Sequence, residues 1–308
     1  MTRRRAELSV EIGQIKLKNP VIAAAGTFPE MTAEKFLGRG AVRRLGAIVT
    51  KTVTLARRAG NPQPRIAETP CGVVNSIGLE NEGIEEFISI RLPKVISYRV
   101  PVIVSIAGFS VREFGELARR IAASSPAATG GVAAIEANIS CPNVEGGGAH
   151  FGLDRTASAE VVSEVKRSAN LPVFVKLPPA THISEIALSV ETAGADAVVV
   201  ANTLPAVAFL NRREGEYLTG GLSGPAIKPH IMYLVREVAG CVKIPVIACG
   251  GIRTGEEVLE YLACGATAVE VGTATLIDPK AILRIIEETE KIAEYESVVR
   301  RKSLECEK

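Results

Sequence analysis

Eight short runs rich in Val, Ile, Leu and Ala restrict the fold of this 308-residue chain more than any other feature; they lie at residues 21–25, 47–50, 102–106, 132–137, 173–177, 197–201, 246–249 and 268–271. None shows the sustained polar alternation of a half-exposed strand, so each implies a strand covered on both faces. Segments 111–123, 157–168, 183–193, 255–264 and 280–295 separate most of them and carry the helical period with a polar face. Strand and helix therefore alternate, the pattern of a parallel sheet wrapped by helices.

Eight strands are what a closed (β/α)8 barrel of the TIM type requires, although a doubly wound open sheet shows the same alternation. Polar residues favour the barrel. Gly26-Thr27, Lys51-Thr52, Ala107-Gly108, Asn138, Lys176, Asn202-Thr203, Gly250-Gly251 and Gly272-Thr273 stand at the strand ends, and a barrel brings all eight ends to the one face where such folds place their sites. Residues 8–18 read as a β-hairpin around Gly13-Gln14 that caps one end of the barrel. With 47% hydrophobic and 23% charged residues and no Pro- or Ser-rich linker, the chain fits one domain over residues 1–308.

Charge and cysteine usage exclude several classes. The net charge of +2 is too small for the basic field that nucleic-acid binding needs, and Arg3, Arg4 and Arg5 read as a solvated, frayed end. No apolar stretch of signal-peptide or membrane-span length occurs; the most apolar run, 197–210, is interrupted by Asn202, Thr203 and Pro205. A cytoplasmic protein with no membrane contact is expected. Cys71, Cys141, Cys241, Cys249, Cys264 and Cys306 form no C-x-x-C pair and lack zinc spacing with His150, His182 or His230. Reduced thiols and no metal are expected.

The strand ends carry the chemistry. Gly250-Gly251 and Gly272-Thr273 close strands seven and eight before helix starts, where freed backbone N–H groups can cradle a phosphate; tight turns need the same glycines. Residues 220–229 read as a further Gly-rich loop, with Pro225 in a first helical turn and Ser223 as a cap. In residues 136–152 a strand ends at Asn138 and enters a loop with Cys141, Pro142, Asn143 and Gly146 to Gly148, expected to move and exclude water. Cys241, Cys249 and Cys264 read as small buried hydrophobes. Cys141 sits among polar neighbours, where Lys51 and Lys176 are the cations that would favour its thiolate and make it a base. Asn75, Ser76 and Asn81, interleaved with Gly78 and Leu79, suit a polar planar ligand, or simple Asx turns.

These motifs fall in an ordered set: "TKT" at 50–52, "RIAETP" at 65–70, "NSIGLEN" at 75–81, "NISCPN" at 138–143, "VKL" at 175–177, "ANTL" at 201–204, "GGLSGPAIKP" at 220–229, "GG" at 250–251 and "GTA" at 272–274. Together they resemble the class 1 dihydroorotate dehydrogenases over nearly the whole chain. The resemblance implies dihydroorotate or orotate bound by Lys51, Asn75, Ser76, Ile77, Gly78, Leu79, Asn138, Asn202 and Thr203. It implies FMN held by Ala25, Gly26, Lys51, Thr52, Ser105, Asn138, Lys176, Ala201, Gly224, Gly250, Gly251, Gly272 and Thr273, with no metal. Cys141 becomes the base and Lys51 stabilises developing negative charge. Ser105 and Ala180 replace common Asn residues and Ala25 a frequent Ser, which implies fewer flavin contacts.

"NSIGLENEG" is closer to the NAD-linked subclass, which works with a separate FAD and iron–sulfur electron-transfer subunit around a homodimeric core, than to the fumarate-linked homodimers. The nearest rival activity is a dihydropyrimidine dehydrogenase-like reductase, against which "CPN" stands where that relative resembles "CPH". A Schiff-base aldolase using Lys176 and a phosphate-ligand binding barrel without chemistry are the other readings.

Overall fold

The computed structural model describes residues 8–124, 131–141 and 149–306. The arginines at 3–5 and the 142–148 part of the loop expected to move lie outside the described residues. In chain order the strands are β1 (Val10–Ile12), β2 (Ile15–Leu17), β3 (Val21–Ala23), β4 (Ala47–Val49), β5 (Ile66–Thr69), β6 (Gly72–Asn75) and β7 (Val102–Ile106). They continue as β8 (Ala134–Asn138), β9 (Val173–Leu177), β10 (Ala197–Val200), β11 (Leu204–Asn211), β12 (Glu216–Ser223), β13 (Val246–Cys249) and β14 (Ala268–Val271).

The eight apolar runs become the parallel strands of a closed barrel, ordered β10-β13-β14-β3-β4-β7-β8-β9. Pairing of Val198 with Val175 on one side and Val246 on the other closes the circle, which removes the open-sheet alternative. Inward residues repeat every second position. Ile22, Val49, Ile103, Ala134, Phe174, Val199, Ile247 and Ala268 form one apolar interior cluster. Ile12 and Leu17 from the β1–β2 hairpin join it, so the hairpin plugs that end of the barrel. Burying a side chain of Phe174's size contributes about 1.5–3 kcal/mol.

Outward residues of the same strands meet helices Val111–Ser124, Arg155–Ser168, Ile183–Thr192, Lys228–Ala239, Gly255–Ala263 and Ala281–Cys306 in a second, larger core. Local chemistry sets where these helices begin. The Asp154 carboxylate accepts from the Ala157 N–H at 2.8 Å, and Thr254 with Glu257 forms a reciprocal capping box.

One part of the expected organisation is corrected. Residues 220–229 are not simply a loop: β12 runs through Gly220 and Gly221 and pairs with β11 and β6, in an antiparallel sheet of order β11-β12-β6-β5. Glycine is needed there for close approach, since a Cβ on Gly220 would run into the Asn75 carbonyl and one on Gly221 into the Thr203 side chain. Ser223 caps no helix; its hydroxyl accepts from Thr273 Oγ1 at 2.8 Å. Pro225 does open the short 3-10 turn Pro225–Ile227.

Candidate active site

Moving two residues along each strand from the apolar interior changes its chemistry: Ile103 gives way to Ser105, Ala134 to Glu136, Phe174 to Lys176, Ile247 to Cys249 and Ala268 to Glu270. Above this polar layer the strand ends and the four-stranded sheet enclose a cavity of about 460 Å³. That volume falls within the range of about 300–1,000 Å³ usual for small-ligand and cofactor sites. Of the residues singled out from sequence, Ala25, Gly26, Lys51, Thr52, Asn75, Ile77, Gly78, Leu79, Asn138, Cys141, Lys176, Ala201, Asn202, Thr203, Gly224, Gly250, Gly251, Gly272 and Thr273 line it. Ser76 and Ser105 do not. Ser76 faces away and accepts from Asn61 Nδ2 at 3.1 Å, and Ser105 is fully buried beneath Thr52, with their hydroxyls 2.9 Å apart.

A hydrogen-bonded chain shapes the centre of the site. Asn202 Nδ2 donates to Ser140 Oγ at 2.8 Å, Ser140 Oγ donates to Asn138 Oδ1 at 2.8 Å, and Asn138 Nδ2 donates to Thr52 Oγ1 at 3.3 Å. The Ser140 N–H also donates to Asn138 Oδ1 at 3.2 Å, an Asx turn that swings the chain past β8. Cys141 follows directly. It is 7% exposed and lines the cavity.

Lys51 is positioned through its backbone. Its N–H donates to the Glu30 carboxylate at 3.0 Å, which also accepts from Arg91 Nη1 at 2.9 Å. Burial raises Glu30 above the usual carboxylate range, against the pull of Arg91. The Lys51 ammonium lies 3.9 Å from Glu80, whose carboxylate accepts from Arg65 at 2.6 Å; at 43% exposure Glu80 is a weak tether.

Lys176 differs from its expected role. It stands inside β9 instead of just past it, and its Nζ is 2.6 Å from Glu270 Oε2 and 3.5 Å from Cys249 Sγ. Burial alone would lower its pKa, but the Cys249 sulfur, Glu270 and Glu136 hold it well above the usual lysine value. Its charge is therefore answered in place by Glu270, not reserved for the Cys141 thiol. Cys249 is likewise more than an apolar filler, since it lines the cavity beside Lys176; burial pushes its thiol up to about 12.

Several contributors were not anticipated. Tyr261 is buried under the β13 glycines and donates its hydroxyl to the Gly250 carbonyl at 2.6 Å. Arg65, Glu80, Ile252, Arg253, Leu276 and Ile277 also line the cavity. Glu136 and Glu270 form its buried foundation, and a charge inside an otherwise apolar strand was the signal that could have found them. Among the described residues no cluster of His, Cys, Asp or Glu suits a metal ion, and no helix is long and apolar enough to cross a membrane.

Such a cavity at the C-terminal ends of a parallel barrel, with two thiols and two lysines in its wall, is the site of a (β/α)8-barrel enzyme. The family model for dihydroorotate dehydrogenase matches residues 7–293, and the chain belongs to that family. Its relatives include proteins named dihydroorotate dehydrogenase B (NAD(+)), catalytic subunit. The one from Geotalea uraniireducens is 45% identical over 97% of both chains. That from Geobacter sulfurreducens is 46% identical over 94% of this chain and 93% of its own, and that from Maridesulfovibrio salexigens 43% over 94% of each.

Proposed function

We propose that the chain, as one catalytic domain over residues 1–308, oxidises dihydroorotate to orotate in pyrimidine biosynthesis, with FMN as the hydride acceptor. The convergence of the family match with Cys141, Lys51 and the asparagines in one cavity supports this most directly. The cavity suits a flavin: a Cβ on Gly272 would meet nothing nearer than the Ala24 Cβ at 3.7 Å and would stand in the space left for a ligand. Gly250, Gly251, Gly272 and Thr273 would hold the phosphate, and Thr52, Asn138, Lys176, Ala201, Gly224, Ala25 and Gly26 the rest of the cofactor, with Ser105 supporting Thr52.

When bound, FMN supplies the two-electron acceptor. Asn75 to Leu79, Asn138, Asn202 and Thr203 orient the substrate by amide and backbone hydrogen bonds, with Ser76 buttressing the segment through Asn61. Cys141 removes the proton beside the substrate carbonyl. Lys51, fixed by Glu30, stabilises the charge that develops there. A Schiff-base role for Lys176 is disfavoured, because a nucleophilic amine must be neutral and this one is held charged.

Anaerobic addition of dihydroorotate to the FMN-loaded protein should bleach the flavin absorbance, and dihydrouracil should not. Bleaching by dihydrouracil alone would transfer the assignment to the reductase reading. The relatives' designation as catalytic subunits supports a second subunit, which we propose carries FAD and an iron–sulfur cluster, passes electrons to NAD and joins a homodimeric core in the cytoplasm. The isolated chain should then reduce an artificial dye but not NAD, and gain NAD reduction when that partner is added. Saturable fumarate reduction by the chain alone would replace this with the fumarate-linked homodimer.

A further inference from the structure

Below the cavity lies more negative charge than the ion pair there can answer. Glu136 on β8, Lys176 on β9 and Glu270 on β14 are each at most 6% exposed. Lys176 Nζ meets Glu270 Oε2 at 2.6 Å, whereas Glu270 Oε1 and both Glu136 oxygens accept no well-formed hydrogen bond from the described residues. Among the described residues, the remaining groups facing them are neutral. They are the Ser105 hydroxyl on β7, bonded to Thr52 at 2.9 Å, and the Cys249 thiol on β13, 3.5 Å from Nζ. One ammonium already paired with Glu270 cannot balance a second desolvated carboxylate, so the fully buried Glu136 is the group that retains a proton.

Lys176 belongs both to this cluster and to the cavity wall, so the charge of the cluster is felt by whatever the cavity holds. We propose that Glu136 holds a proton beside the Lys176–Glu270 ion pair and, acting through Lys176 as a positioning residue, sets the charge of the cavity floor: neutral while the proton is held, negative once it is lost. The inference rests on the flavin reading for the identity of the ligand. A neutral floor lets the Lys176 ammonium attract the electron-rich reduced ring, and a negative floor opposes it. Burial, reinforced by Glu270, pushes Glu136 up to about 8, so the change falls just above neutral pH.

Two measurements decide the matter. Infrared spectra of the wild-type protein should show the carbonyl stretch of a buried protonated carboxyl at pH 6–7, titrating away near pH 8 and missing in Glu136→Gln; its absence from the wild type at pH 6–7 would overturn the proposal. As pH rises across the same range, the ratio of the affinities for reduced and oxidised FMN should fall by roughly tenfold, the equivalent of one pKa unit. Glu136→Gln should keep that preference flat with pH, and identical pH profiles in the two proteins would also overturn the proposal. If FMN binds neither protein, the flavin reading fails and the infrared band still decides whether Glu136 holds the proton. Stability offers an independent check: the folded chain retains a proton that the unfolded chain releases, so wild-type stability falls as pH rises from the ordinary glutamate range to about 8. Glu136→Gln removes that slope.

Discussion

Cys141→Ala is expected to bind FMN with wild-type affinity while the reduction of bound flavin by saturating dihydroorotate slows by roughly two or more orders of magnitude, the loss typical of removing a general base. The geometry explains why the effect should be so selective. The Asx turn at Asn138 and the Ser140–Asn202 hydrogen bond, 3.2 and 2.8 Å, are made by neighbours of Cys141, so neither bond is lost when the sulfur is removed. Cys249 is a poor control because it touches Lys176 at the cavity floor. Cys241 is a better one: its thiol donates to the Val238 carbonyl at 3.2 Å in the turn that ends the Lys228–Ala239 helix. Cys241→Ala should reduce at the wild-type rate. Equal rates for wild type and Cys141→Ala in stopped-flow reduction would remove Cys141 from the mechanism.

Gly272→Leu is expected to weaken FMN binding by roughly a hundredfold or more. If the backbone N–H groups around Gly272 and Gly250 hold the phosphate, displacing two charge-assisted hydrogen bonds costs about 1.5–3 kcal/mol each, and each 1.4 kcal/mol is about tenfold in affinity. Gly272 tests this better than Gly251. A Cβ on Gly251 would lie 2.5 Å from the Lys228 Cβ and 3.0 Å from its backbone nitrogen, at a φ of +73°, so substitution there would disturb the start of a helix whatever the ligand. At Gly272 the nearest atom is 3.7 Å away, and the protein tolerates the first carbon. Riboflavin, which lacks the phosphate, should bind the wild type far more weakly than FMN does. Fluorescence titration giving comparable affinities for the two flavins would place the phosphate elsewhere.

The barrel was legible because burial on both faces leaves a mark in every strand: β7, β9, β13 and β14 begin and end within a residue of the apolar runs that announced them. The β1–β2 hairpin was legible for a similar reason, with Ile12 and Leu17 spaced to face the same side. The sheet formed by β5, β6, β11 and β12 was not. Its strands are half-exposed, pair across long sequence gaps such as Gly221 with Asn75, and contain the glycines that locally read as a loop.

For the site, the amino-acid sequence determined which residue types wait at the eight strand ends, and their order was enough to identify the family. It could not say which ends meet, because that depends on barrel closure. Closure brings Lys176 to Glu270 across 94 positions of sequence at 2.6 Å, takes Ser105 below the cavity and puts Cys249 in its wall. Glu136 and Glu270 looked like isolated polar residues in apolar strands; only the tertiary structure made them neighbours of one ammonium. Electrostatic interaction falls off with distance in space and is amplified by loss of water, and neither quantity exists until the strands have closed.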